Sequence, residues 1–353
     1  MNAPHTTARE RLNEVAKTGI VIKDGPYGTA IQAEKLTAEQ YAGDTGLALD
    51  QNGNNDLVNL TQPQVIRKIC DSYIAAGAVV LATNTFNANR ISQADYGAEH
   101  LVHDINLAAA KIIREACDDA TAKDGKERFV CGAMGPTNKT LSLSPDVEDP
   151  GYREVSFDFV KDVYKEQAAA LLEGGCDFIL IETVFDTLNC KAAIVGVKEL
   201  EIERGADVPM FISMTVTDKS GRNLSGHTVE AFWNTVRHAK PAAMGLNCSF
   251  GAEQLRPHVQ TLSETADTLL FAYPNAGLPN DLGEYDEPPE TTAEFVSAWA
   301  REGFVNILGG CCGTTPDHIA AIAEAVSGVE PRTSKKADPA MRLAGLDPFK
   351  IAS

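Results

Sequence analysis

Short apolar, β-branched runs alternate along the chain with longer stretches of helical period. The runs Gly19-Ile20-Val21-Ile22, Val79-Val80-Leu81, Phe129-Val130-Cys131 and Phe178-Ile179-Leu180-Ile181 predict four strands. Met210-Phe211-Ile212, Ala243-Met244-Gly245-Leu246, Leu269-Leu270-Phe271-Ala272 and Val305-Asn306-Ile307-Leu308 predict four more. Each is too short and too apolar to keep one face in water, which suits strands covered on both faces. Between them the apolar positions recur at helical spacing. Ile66, Ile69, Cys70, Tyr73 and Ile74 share one stripe, with Thr61 as the expected N-cap and Pro63 in the first turn. Val160, Val163, Tyr164 and Leu171 mark a second helix that runs out at Gly174-Gly175, and similar patterns cover about 104–118, 187–204, 229–238, 253–265, 293–301 and 316–326.

A strand followed by a helix, eight times over, predicts one closed parallel (β/α)8 TIM barrel. The competing arrangement is an open doubly wound sheet. That fold usually carries a Gly-rich nucleotide loop after its first strand, and G-x-G-x-x-G is absent here. The barrel is placed at 19–327, with an N-terminal extension at 1–18. A linker-like tail at 328–353 holds Pro331, Lys335, Lys336, Pro339 and Pro348, and is read as wrapped on the domain or leading to a partner. Two connections are long, about 25–60 after strand one and about 135–156 after strand three. Long βα loops are where a barrel builds its active face.

Charge narrows the partners. The 353 residues hold 31 Lys+Arg against 49 Asp+Glu, a net charge of −18. A chain this acidic repels phosphate backbones, so nucleic acid is not an expected partner. No apolar run reaches the roughly 18 residues of a membrane span, so no membrane association is expected either. The N-terminal stretch lacks the apolar core of a signal peptide, and a cytoplasmic location is the expectation. In that compartment the eight cysteines argue for thiols or metal rather than disulfides. Cys70, Cys117, Cys131, Cys176 and Cys190 sit singly among apolar neighbours and read as small buried hydrophobes.

The other three stand where strands end, and in a parallel barrel that is where function collects. Cys248 ends strand six and Cys311-Cys312 end strand eight. Three thiolates on one rim without a fourth Cys or His suit a zinc ion with an open position, as in catalytic rather than structural sites. Two unconnected buried thiols, or a vicinal disulfide, are the alternatives; placement on the strand ends favours metal. Asp24 and Glu182 end strands one and four. A buried carboxylate needs a partner, so both suggest a cationic ligand group such as an α-amino group, against the plainer readings of an N-cap for Asp24 and a rim ion pair for Glu182. The loop from Gly25 to Thr29 could offer backbone N–H groups to a carboxylate. Asp186 and Asp218, near the same rim, are explained well enough by solvation.

Taken together, DGPYGTAIQ, GNNDLVNLTQPQVI, TNTFNAN, GAMGPTNKT, ILIETVFDTLNCKAA, SGRNLSGHTVEAF, GLNCSFG, YPNAGLPN and VNILGGCCGTTPDHI resemble the homocysteine S-methyltransferase family. The resemblance spans about residues 12–350 and is strongest to the N-terminal homocysteine-binding module of cobalamin-dependent methionine synthase. It implies a (β/α)8 barrel and one zinc ion held by Cys248, Cys311 and Cys312. Homocysteine sulfur would take the fourth position, with Asn275 of YPNAG as the ligand it displaces. Asp24 and Glu182 look like the family's α-amino partners, and the backbone around Gly28 and Thr29 like its carboxylate cradle.

The implied reaction is methyl transfer to L-homocysteine, giving L-methionine. The implied donor is methylcobalamin on a partner protein, since D-x-H-x-x-G is absent and the sequence stops near where the synthase continues into its folate module. A split synthase working with cobalamin-binding and folate modules is the expectation. A transferase using betaine or S-methylmethionine, or a zinc- and homocysteine-binding module without turnover, are the other readings. Three positions depart from the family pattern: Pro26 and Tyr27 in the first loop, and Ala82 where a Glu usually precedes TNTF.

Overall fold

In the computed structural model, which describes residues 7–218, 220–336 and 339–351, the eight apolar runs are eight parallel strands. These are β1 (Val21–Ile22), β2 (Val80–Ala82), β3 (Phe129–Met134), β4 (Phe178–Val184), β5 (Met210–Met214), β6 (Ala243–Gly251), β7 (Leu269–Asn275) and β8 (Ile307–Leu308). They pair in the order β1-β8-β7-β6-β5-β4-β3-β2. A parallel bridge between Lys23 and Val80, with the Asp24 amide donating to the Val80 carbonyl at 3.0 Å, joins β1 to β2 and closes the ring. Helices cover the outside. The sequence thus yields the (β/α)8 barrel it predicts.

Side-chain alternation divides the core into two layers. Inward positions Val21, Val80, Phe129, Phe178, Phe211, Phe271 and Ile307 pack into one cluster, while outward Ile22, Leu81, Val130, Ile179, Ile212, Met244, Leu270 and Leu308 meet the helices. Aromatic rings fill the interior in a chain, Phe129 to Phe178 at 5.8 Å, then Phe211, Phe271 and Tyr273, the last pair stacked at 5.7 Å. The extension contains a helix (Ala8–Thr18), opened by a Thr7–Glu10 capping box. Its buried Leu12 and Ala16 join the interior cluster.

One local expectation changes and another is narrowed. The stripe containing Ile66 begins at Pro63 with Gln62 as its N-cap, because Thr61 is the last residue of a separate turn (Val58–Thr61). Of the two courses open to the tail, its described residues take the one wrapped on the domain. Arg332 is buried, and an antiparallel hairpin, Arg342–Ala344 with Pro348–Lys350, lies against the helix Val229–Val236. The Leu346 carbonyl accepts from the Thr228 amide at 3.0 Å, and Asp347 pairs with Arg222 at 2.7 Å. Among the described residues no helix is long and apolar enough to cross a membrane.

Candidate active site at the mouth of the barrel

The ends of β4 and β6 depart from regular strand geometry. Pairing slips between Ile181 and Val184 and again between Asn247 and Gly251. Thr183, Cys248 and Ser249 take positive φ of 57°, 61° and 64°. For non-glycine residues, and above all for a β-branched threonine, this backbone costs energy and survives only where the surroundings impose it. Glu182 keeps its inward place in the alternation of β4, whereas Cys248, an outward position by the alternation of β6, is turned toward the mouth.

Cys248 is thereby brought to Cys311 and Cys312 from β8. The three Sγ atoms lie within 4.8 Å of one another, and Cys248 and Cys312 are 4.0 Å apart. Two thiolates bound at ~2.3 Å to one tetrahedral ion would stand ~3.8 Å apart. Asn275 hydrogen-bonds toward Cys248, while its own Oδ1 is buried with no partner. Three sulfurs and an orphaned oxygen form a donor set that fits a zinc ion. Hydrogen bonds from Cys311 and Cys312 hold the Cys248 thiol down at about 3. The same bonds hold Cys312 up at about 11 and Cys311 well above the usual thiol range. Of the three thiols, Cys248 is thus the one most easily deprotonated, and a bound cation would favour deprotonation of the other two.

A cavity of about 300 Å³ adjoins Cys311 and Cys312. Gly28, Thr29 and Glu182 line it, as do Tyr27 and Ala82 from the departing positions. The Tyr273 hydroxyl donates to Glu182 Oε2 at 2.9 Å. Burial pushes the Glu182 carboxyl up, against the opposing pull of Lys23 and Tyr273. Asp24 is placed differently from the sequence expectation. It is fully buried and absent from the cavity wall, with Oδ1 accepting from Lys23 Nζ at 2.7 Å and Oδ2 from the Ala82 amide at 2.8 Å. Both oxygens are engaged within the protein, and Asp24 is the counter-ion of Lys23. Asp186, read from sequence as solvated, is buried too. It caps the helix Thr187–Arg204 and takes the Leu141 and Ser142 amides, pinning the loop after β3.

A family model for homocysteine S-methyltransferase matches residues 21–326. The chain belongs to that family. It is therefore a methyltransferase of the homocysteine class. Among solved structures, it is similar to the homocysteine methyltransferase MmuM from Escherichia coli. The metallated form is 22% identical with a TM-score of 0.69, covering 88% of this chain and 98% of that one. The oxidised form, at 21% identity and a TM-score of 0.68, covers 88% and 97%. At these identities the likeness supports the fold.

Sequence reasoning missed Lys23 and Asp56, and it placed Asn247 and Tyr273 at strand ends without giving either a role. Lys23 had a readable signal, a charged residue at an inward position of an otherwise apolar strand. Asn247 and Tyr273 also follow from alternation along β6 and β7. Asp56, buried on the cavity wall and accepting from the Asn87 amide at 2.9 Å, lies in a long loop whose path no periodicity reveals.

Proposed function

We propose that the chain binds one zinc ion through Cys248, Cys311 and Cys312 and methylates the sulfur of L-homocysteine to give L-methionine. The observation that carries this reading is the convergence of three sulfurs within 4.8 Å beside a cavity of amino-acid size. When bound, the metal holds the substrate thiol as a thiolate at neutral pH, which a free alkyl thiol is not. The chain's residues do the rest. Asn275 yields the fourth position to the incoming sulfur. Glu182, fixed by the Tyr273 hydroxyl, receives the α-amino group, and the backbone at Gly28 and Thr29 faces the α-carboxylate. The acceptor sulfur attacks the methyl carbon in line, a C–S bond forms, and the leaving group departs with its bonding pair. The product thioether is neutral and a poor ligand, which favours release.

For the donor we favour methylcobalamin carried by a partner protein, with this chain as the homocysteine module of a split methionine synthase. Phe86, Leu143, Val147, Tyr152, Leu278 and Leu282 are exposed apolar side chains on the loops after β2, β3 and β7. Apolar groups gathered round a mouth suit docking of a macromolecular donor. Zinc-edge X-ray absorption tests the acceptor side: homocysteine should convert an S3(N/O) centre to S4. Methionine formation should then require a methylcobalamin protein. Protein that retains no zinc would overturn the mechanism, and turnover with betaine or S-methylmethionine alone would overturn the donor.

A further inference from the structure

We propose that Lys23 determines specificity by pairing with the carboxylate of the thiol substrate, so that the cavity selects acid-bearing thiols. The inference rests on the thiol-binding reading above and adds a recognition element to it. Alternation along β1 turns Val21 and Lys23 inward and Ile22 outward, so a lysine stands at the top of an aromatic interior. It is buried, at 4% exposure, and lines the cavity.

Its ammonium has three N–H donors. One goes to Asp24 at 2.7 Å, and Nζ lies 4.5 Å from the centroid of the Tyr273 ring. No other hydrogen bond to Nζ occurs among the described residues, which leaves a donor unspent where burial makes unspent capacity costly. Asp24 lies behind the ammonium with both oxygens used, so the pair shows the cavity its positive end. Glu182 shows it a negative one. The two charges flank a single side chain, Lys23 over the Tyr273 ring and Glu182 on its hydroxyl. A zwitterion complements that arrangement, with its ammonium on Glu182 and its carboxylate shared between Lys23 and the backbone at Gly28 and Thr29, which line the same cavity.

The test uses cobalt-substituted protein, in which thiolate-to-metal absorption reports ligation of an added thiol. Titrations with L-homocysteine, 4-mercaptobutanoate (no amine) and 3-aminopropane-1-thiol (no carboxylate) are made on wild type and on the double variant Lys23→Met/Asp24→Asn. The double change removes the ion pair as a unit and leaves no lone buried charge. Wild type should bind both acids at least about tenfold more tightly than the amine thiol, and the variant should lose roughly tenfold or more on the acids alone. Equal losses on all three thiols, no loss on any, or a wild-type preference for the amine thiol would overturn the assignment of Lys23. Thiol ligation with no dependence on Lys23 would leave the proposed function standing, whereas absence of any thiol ligation would remove both. If the double variant fails to fold, Lys23→Gln is titrated in its place and should show the same selective loss on the two acids, since the backbone at Gly28 and Thr29 is unchanged in it.

Discussion

The side-chain amide of Asn247 reaches the thiol of Cys311 across the barrel mouth, with Nδ2 lying 3.9 Å from Sγ. The same amide holds the neighbouring strands. Its Oδ1 accepts from the Ser213 hydroxyl at 2.6 Å and the Thr183 amide at 3.2 Å, and Nδ2 donates to Thr183 Oγ1 at 2.9 Å. One residue therefore fixes the strained turn at Thr183 and offers an N–H to a sulfur of the metal donor set. Groups that orient and polarise a ligand in this way are typically worth 10–100-fold in metal affinity. Asn247→Ala should weaken zinc binding by about that factor, measured by competition with a chromophoric chelator. Unchanged affinity with lowered stability would mean that Asn247 serves only the strands.

Metal content should separate the three rim cysteines from the other five. Cys311→Ala should take bound zinc from one per chain to near none, while Cys190→Ala, a buried thiol far along the chain from the rim cluster, should retain it. Because the ion binds the folded chain, chelation should also lower the melting temperature of wild type and leave that of Cys311→Ala unmoved. Equal metal content in the two variants would detach the cluster from metal binding.

The strand order and the three cysteines were legible because each rests on a periodic or local signal. Eight apolar runs with helices between admit few closed topologies, and Cys248 and Cys311-Cys312 end their runs visibly. The pairing of Asp24 with Lys23 was not legible because sequence marks a carboxylate at a strand end without showing its neighbour's direction. Lys23 is adjacent in the chain, yet neighbours on a strand ordinarily face opposite sides, so alternation does not reveal their ion pair. The positive φ at Thr183, Cys248 and Ser249 was hidden because these are not residues that advertise such a conformation. The tail was hidden for another reason: its anchors are long-range contacts between single residues, and no pattern precedes them.

Arg332 is the strongest of those anchors. Its guanidinium donates to the carbonyls of Ser263, Ala266 and Thr268 and to the Ser263 hydroxyl, while its own carbonyl accepts from Asn306 Nδ2 at 2.7 Å. Arg332→Ala strands several buried acceptors, each costing about 1–3 kcal/mol when unpaired. The expected loss is on the order of 2–4 kcal/mol in urea unfolding. Zinc stoichiometry should be retained, because Arg332 bonds the starts of β7 and β8 and the metal donors lie at strand ends. A stability within experimental error of wild type would return the tail to the status of a linker.

Asp56 sets a pH dependence whose sign follows from its burial. Desolvation pushes its carboxyl from 3.8 to about 7, with only the Asn87 amide and its own backbone opposing. The unfolded chain releases this proton near pH ~4 and the folded chain near pH 7. Between those values the folded state binds more protons, so stability falls as pH rises through the window and the full cost is present above it. At ~1.4 kcal/mol per tenfold change the ceiling is about 4 kcal/mol. Asp56→Asn cannot ionise and keeps an oxygen for the Asn87 amide. The variant should therefore exceed wild type by on the order of 1–4 kcal/mol at about pH 8, and the two should converge near pH ~4. Denaturant unfolding across that range is the measurement. Parallel curves for the two proteins would show that Asp56 ionises in the folded chain at no cost.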